Sequence, residues 1–357
     1  MTKDLKRIFK PEVTALRAYS LEPHETSIKI NQNENPWETP EKIKGATLRQ
    51  FENYRWSRYP PFISSDLEMR LAAFAGWKPN GVLAGNGSNE LIQALLMVTI
   101  AAGKSVLISE PTFTLYRQVA TILGGEVLSV RMTPDFLYDV GAIIESIEEH
   151  KPSVVILCSP NNPTGTRIPD DALRRILTSS SGLVVIDEAY HEFSEHTVVP
   201  LLEEFDNLIV LRTFSKAMAL AALRVGYLLG QPQSVIEIRK ALLPYNLNLF
   251  SQTAAGVALD SYDGELRPLV GRILIERDRL FTEIGQLQGF SPIPTTANFM
   301  IVCSELEPKV VFDHLLKRDI LIRDVSRYPM LDKYFRLSVG TPDENDRLLE
   351  GLKELVS

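Results

Sequence analysis

Leu208-Ile209-Val210-Leu211-Arg212-Thr213-Phe214-Ser215-Lys216 opens as an apolar run and closes on two hydroxyls, an aromatic ring and a lysine. The run Leu208–Leu211 shows no polar alternation, which marks a strand buried on both faces. In open α/β sheets, ligands bind beyond the carboxyl ends of the strands. Lys216 therefore stands where a ligand would sit. Thr213, Ser215 and Arg224, eight positions past the lysine, supply the donors that a phosphate takes. A surface lysine in a polar loop fits this stretch equally well, so the neighbouring strands have to decide.

Upstream the same grammar recurs. Apolar runs over Ser105–Ser109, Glu126–Val130, Ser153–Cys158 and Leu183–Ile186 are mostly separated by stretches of helical pattern. Continuous apolarity with helices between predicts an α/β fold, a mainly parallel central sheet flanked by helices. Val225–Leu229 follows its predecessor after a short connection, which predicts an antiparallel place. Helices are expected from about Asp66 and over Leu91–Ile100, the second introduced by a glycine turn. After Gly230 the pattern changes to a helical region broken by Pro244 and a long helix over roughly Leu266–Leu287. Strands near Phe299–Val302, Ile320–Arg323 and Phe335–Val339 then suggest a smaller α+β lobe. The expected division is an N-terminal arm over 1–40, a large domain over 41–245 and a small C-terminal domain over 246–357. The arm, with its polar stretch Asn31–Pro36, reads as a loop rather than a packed element.

Composition narrows the function classes. With 357 residues, 45% hydrophobic and 23% charged, the chain has the make-up of a globular protein of enzyme size. A formal net charge of −7 argues against a general nucleic-acid binder. No apolar run is long enough to span a bilayer, and the first residues show no signal-peptide pattern, so the expectation is a cytoplasmic protein with no membrane partner. The two cysteines, Cys158 and Cys303, read as buried free thiols of a reducing compartment, and the five histidines have no ligand spacing, so no metal is expected.

Three further stretches carry chemistry. Gly85-Asn86-Gly87-Ser88-Asn89-Glu90 places glycines at a helix start, where free backbone N–H groups bind anions; an ordinary cap by Ser88 or Asn89 is the plainer alternative. Ser159-Pro160-Asn161-Asn162-Pro163-Thr164-Gly165 makes a rigid loop at a strand end and aims Asn162 at the crevice, although the same residue types make plain turns. Val184-Val185-Ile186-Asp187-Glu188-Ala189-Tyr190 puts a carboxylate at the end of a buried strand, where it has to be paired or functional, or caps the next segment. Asp187 can keep a ring nitrogen protonated, and Tyr190 is close enough in sequence to reach the same ligand. A phosphate, a ring nitrogen that takes an acid partner and a carbonyl that condenses with a lysine are together met by pyridoxal 5′-phosphate.

In this order the motifs, with Leu223-Arg224-Val225-Gly226, resemble the fold-type I pyridoxal-phosphate aminotransferases over nearly the whole chain, and most closely the histidinol-phosphate aminotransferases. By that resemblance Lys216 is the Schiff-base lysine, Asp187 the partner of the pyridine nitrogen, and Asn162 and Tyr190 the donors to the cofactor's phenolate oxygen. Ser88, Asn89, Thr213, Ser215 and Arg224 match the phosphate site, and Phe113 the aromatic that stacks on the ring. Tyr59 resembles the tyrosine that reaches the phosphate of a neighbouring subunit, which implies a homodimer. Arg336 would bind the α-carboxylate of glutamate and share a substrate phosphate with Arg323, while Tyr19 and Asn33 would close over the substrate. Ala222 stands where the family usually has glycine.

The implied reaction is transfer of an amino group from L-histidinol phosphate to 2-oxoglutarate, giving imidazole acetol phosphate and L-glutamate in histidine biosynthesis. Transamination of aromatic amino acids and decarboxylation of threonine phosphate use the same fold and stay open at this point. An effector lobe of a transcription regulator would need a DNA-binding domain, and the pattern here runs from near residue 19 to the end.

Overall fold

The computed structural model describes residues 5–16 and 23–356. Tyr19 lies outside the described residues. After a 3-10 turn (Leu5–Ile8) and a short helix (Pro11–Ala15) comes a short strand, β1 (Ile28–Lys29), and later the strands of the central sheet. These are β2 (Val82–Gly85), β3 (Ser105–Glu110), β4 (Glu126–Arg131), β5 (Val154–Cys158), β6 (Leu183–Asp187), β7 (Leu208–Thr213) and β8 (Gly226–Gly230). Their spatial order is β2-β8-β7-β6-β5-β3-β4, and β8 alone runs against the rest, as its short connection predicts.

The pleat explains why these strands read as continuously apolar. Ile209 and Leu211 join one core cluster, and Leu208 and Val210 join the other. Val154, Ile156 and Cys158 likewise face the first cluster, with Val155 and Leu157 facing the second. Successive side chains point to opposite faces, and helices cover both. Each fully buried Val, Ile or Leu is worth about 1.5–3 kcal/mol against exposure, so neither face can turn polar along the strand interior.

A smaller lobe follows, with β9 (Phe290–Pro292), β10 (Phe299–Ser304), β11 (Ile320–Leu321), β12 (Arg323–Asp324) and β13 (Tyr334–Ser338). Four of these form an antiparallel sheet in the order β12-β13-β10-β9. Its helices are Arg267–Gly285, Pro308–Lys317 and Pro342–Glu354, the last started by a capping box between Thr341 and Glu344.

Three expectations are corrected. The Ile320–Arg323 strand is two pieces with different partners: β11 pairs in parallel with β1, and β12 pairs with β13. The stretch Asn31–Pro36 is no free loop, because Asn31 and Asn33 are buried and bonded to the small lobe. Asn33 is held there by its backbone and side-chain bonds to Ser338, and Asn31 by its carbonyl, which accepts from Arg336; a composition-based reading does not see such partners. Of the two thiols only Cys158 is fully buried; Cys303 is half-buried.

Candidate active site

The carboxyl ends of β5, β6 and β7 open into a cavity of about 310 Å³ between the two lobes. In-register pairing sets Cys158 beside Asp187, and Asp187 beside Leu211. Asp187 continues the face of Val185, which is also the face of Tyr116 on the helix Leu115–Ile122. The Tyr116 hydroxyl donates to Asp187 Oδ2 at 2.7 Å, and the Ala189 backbone N–H donates to Oδ1 at 3.1 Å. Asp187 thus both anchors a local turn and presents a carboxylate to the cavity. Burial pushes its pKa up to about 6, with the Tyr116 and Ala189 bonds pulling the other way.

Lys216 follows β7, and its Nζ donates to the Gln32 carbonyl at 2.8 Å. Burial, and next the positive charge of Arg336, bring its pKa down to about 8. An amine so poised is far more often unprotonated at neutral pH than an ordinary lysine.

Ser88 and Asn89 are not caps. The helix Ser88–Thr99 takes Gly87 as its N-cap with no side-chain bond, so the first two helical N–H groups are left without helical acceptors. Gly87 has φ +80°, and a Cβ there would lie 2.5 Å from Arg224 Nη2. A Cβ on Gly226 would meet the Ser88 nitrogen at 2.3 Å. Only glycine lets the helix start, β8 and the guanidinium close into one cup. Arg224 Nη1 donates to Ser215 Oγ at 2.9 Å, and Thr213 Oγ1 stands 3.0 Å from that same oxygen. The donor set is N–H, hydroxyl and guanidinium with no carboxylate, which is what a phosphate dianion requires. Ala222 lies in the turn Ala221–Leu223 and is not at positive φ, so alanine meets no backbone penalty there.

Opposite the cup, Arg336 on β13 donates to Asn162 Oδ1 at 2.5 Å and to the Asn31 carbonyl at 2.7 Å. Arg323 is its cross-strand partner on β12 and lines the same cavity. With its oxygen engaged, Asn162 keeps its NH2 group to donate. Asn33 Nδ2 donates to the Tyr190 hydroxyl at 3.0 Å; burial raises the pKa of that phenol, so it stays protonated. Phe113 lines the cavity with its ring edge-on to Tyr116.

The structure therefore gathers Ser88, Asn89, Phe113, Asn162, Asp187, Tyr190, Thr213, Ser215, Lys216, Arg224, Asn33, Arg323 and Arg336 around one cavity. Tyr59 lies outside its own chain's cavity, 80% exposed and stacked on Tyr245. The sequence reading missed Tyr116, Tyr328 and the carbonyls of Asn31 and Gln32. Tyr116 stands one helical turn past Phe113, a spacing that could have drawn attention to it. It also passed over Arg212, a charge inside a buried strand, which pairs with buried Glu188 at 2.9 Å behind the cavity.

A strand-end cavity with a phosphate-type cup, a buried carboxylate and a lysine of lowered pKa defines a class of enzyme. The chain belongs to the family described as Aminotransferase class I and II, whose model matches residues 25–352. Within it, the chain is 38% identical over 354 residues to the histidinol-phosphate aminotransferase of Chlorobium phaeovibrioides, covering 99% of this chain and 98% of that one. It is 36% identical to the histidinol-phosphate aminotransferase of Thermoanaerobacter pseudethanolicus, covering 99% of each chain. In fold it matches the histidinol-phosphate aminotransferase of Sinorhizobium meliloti, solved in complex with pyridoxal 5′-phosphate, with a TM-score of 0.89. That match has 24% identity and covers 100% of this chain and 99% of the other. Among the described residues no helix is long and apolar enough to cross a membrane.

Proposed function

We propose that the protein transfers the amino group of L-histidinol phosphate to 2-oxoglutarate, giving imidazole acetol phosphate and L-glutamate, a step of histidine biosynthesis. The observation that carries this reading is one cavity lined by Ser88, Asn89, Ser215 and Arg224 of the cup, by the cross-strand pair Arg323 and Arg336, and by Lys216 and Asp187. The cofactor is pyridoxal 5′-phosphate, which supplies an aldehyde that exchanges for an amine and a ring that takes up electrons. Ser88, Asn89, Thr213, Ser215 and Arg224 hold its phosphate. Asp187 faces its ring nitrogen and Phe113 packs on the ring. Asn162 and Tyr190 donate to its ring oxygen.

Lys216 alone among these groups has an amine, and its lowered pKa suits it to moving a proton between two carbons of the substrate. Arg336 binds the α-carboxylate of glutamate, and with Arg323 it binds the phosphate of the amine substrate through paired N–H donors. Asn33 closes the cavity from the arm, and Tyr19 is assigned to the same closure. The two unpaired cysteines suit a cytoplasmic setting.

An absorbance titration of the holoenzyme tests the substrate. Histidinol phosphate is expected to convert the aldehyde form of the cofactor to its amine form at far lower concentration than histidinol, phenylalanine or threonine phosphate. Loss of two charge-assisted bonds to the phosphate should raise KM roughly a hundredfold. Equal response to histidinol and its phosphate would overturn the assignment of the arginine pair. Release of carbon dioxide from threonine phosphate at a comparable rate would overturn the reaction.

The same reading includes a homodimer. Trp56, Tyr59, Phe62 and Leu243 are 75%, 80%, 64% and 76% exposed, too many large apolar groups for a lone surface. A second copy covers them, and Tyr59 reaches the partner's cup. Sedimentation should give twice the chain mass, and Tyr59→Ala should weaken cofactor binding about tenfold. A monomer with full cofactor affinity contradicts this part.

A further inference from the structure

We propose that Tyr116 is a positioning residue for Asp187: its hydroxyl fixes the carboxylate and biases the proton shared with the cofactor toward the ring nitrogen. The inference rests on the assignment of Asp187 to that nitrogen. Tyr116 is fully buried, and the face of its helix carries Val119 and Ala120 into the core beside it. A buried phenol has to bond something, and this one bonds the carboxylate at 2.7 Å. Among the described residues no arginine, lysine or histidine pairs with Asp187. The groups whose charges are coupled to it are Tyr116 from its helix, Cys158 from β5, Glu188 next in the chain, Tyr138 behind Cys158, and Tyr190, while Lys216, Arg224, Arg323 and Arg336 share its cavity without an ion pair to it. None of the coupled groups carries positive charge. Among the described residues the donors on the carboxylate are one phenol and one backbone N–H.

That balance decides where a proton rests. A carboxylate and a pyridine nitrogen facing one another are two bases sharing one proton. A hydroxyl bonded to the charged carboxylate lowers its basicity, and in a water-poor site this bond is stronger than in solution. The proton then stays on nitrogen, and no atom is gained or lost by the pair. Removing the hydroxyl leaves the carboxylate one weak donor and draws the proton onto oxygen. The cofactor's ring, no longer cationic, would take up electrons less readily.

The test uses holoenzyme reconstituted with cofactor labelled with nitrogen-15 in the ring, read by the nitrogen chemical shift, together with the cofactor dissociation constant. Wild type is expected to show a protonated nitrogen. Asp187→Asn should show the neutral one, as a reference. Tyr116→Phe, which keeps the ring and its packing, should move the resonance toward the neutral value and weaken cofactor binding about tenfold. In the Asp187→Asn background the same change should add little, because the charge it serves is gone. Melting temperature checks that Tyr116→Phe folds, and Tyr116→Met is a second hydroxyl-free variant with the same expectation. A wild-type resonance and dissociation constant in the folded hydroxyl-free variants overturn the role of Tyr116. A wild-type nitrogen already neutral, or one indifferent to Asp187→Asn, overturns the Asp187 assignment instead.

Discussion

Lys216→Ala is expected to lower turnover by roughly ten-thousand-fold or more, because in the proposed function one amine serves as both the attachment point and the proton carrier. The protein should fold. Among the described residues the Lys216 side chain makes one hydrogen bond, to the Gln32 carbonyl, and its charge is disfavoured where it sits. It should also still take up cofactor, since Ser88, Thr213, Ser215 and Arg224 are untouched. The signature is retained cofactor with the band of the lysine-bound form gone. Stopped-flow and steady-state assays check the rate, and absorbance the binding mode. A variant that transaminated at the normal rate would remove the lysine from the chemistry altogether.

Asp187→Asn should cut kcat by about a hundred- to a thousandfold, the range seen when one preorganised electrostatic partner is removed. Stability should move the other way. Burial raises the Asp187 pKa from the ordinary carboxylate value of 3.8 to about 6 in the folded apoprotein. The folded protein therefore binds this proton more tightly than the unfolded chain. Wild-type apoprotein is penalised as pH rises from about 4 through 6, and not below. The penalty at neutral pH is on the order of 3 kcal/mol, from roughly two units of pKa. Asparagine keeps the shape without the charge, so the apo variant should melt higher than wild type at pH 7 and draw level near pH 4. A wild-type apoprotein that is the more stable of the two at pH 7 would show that the carboxylate is paired rather than poised.

Much of this was legible in the sequence for a physical reason. Strands buried on both faces leave no choice of residue type, so β3, β5, β6 and β7 announce themselves. Asp187 closes such a strand, and Asn162 and Lys216 follow shortly after two others, where a polar side chain needs a reason. The anion cup is legible through Gly87 and Gly226, although the guanidinium that forbids a Cβ at Gly87 comes from far along the chain. What the sequence hides is contact across long separations. Nothing local says that Asn31 and Gln32 lend carbonyls to Arg336 and Lys216. Tyr116 shows the same limit: its partner lies 71 positions away and only the pleat of β6 brings it round. The split of Ile320–Arg323 into β11 and β12 depends on β1, which supplies a parallel neighbour for the first half only.

The Asn33 backbone N–H donates to Ser338 Oγ at 2.8 Å, and the Ser338 hydroxyl donates back to Asn33 Oδ1 at 3.0 Å, a clasp between residues 305 apart. A ribosome emits Asn33 long before Ser338, so a nascent chain holds one half of this clasp while waiting for the other. Arg336 lies on that same late strand, so the arginine side of the cleft is written two residues before the clasp can close. A chain truncated before β13 would keep the cup at Gly87 but lack both Arg336 and the Ser338 half of the clasp.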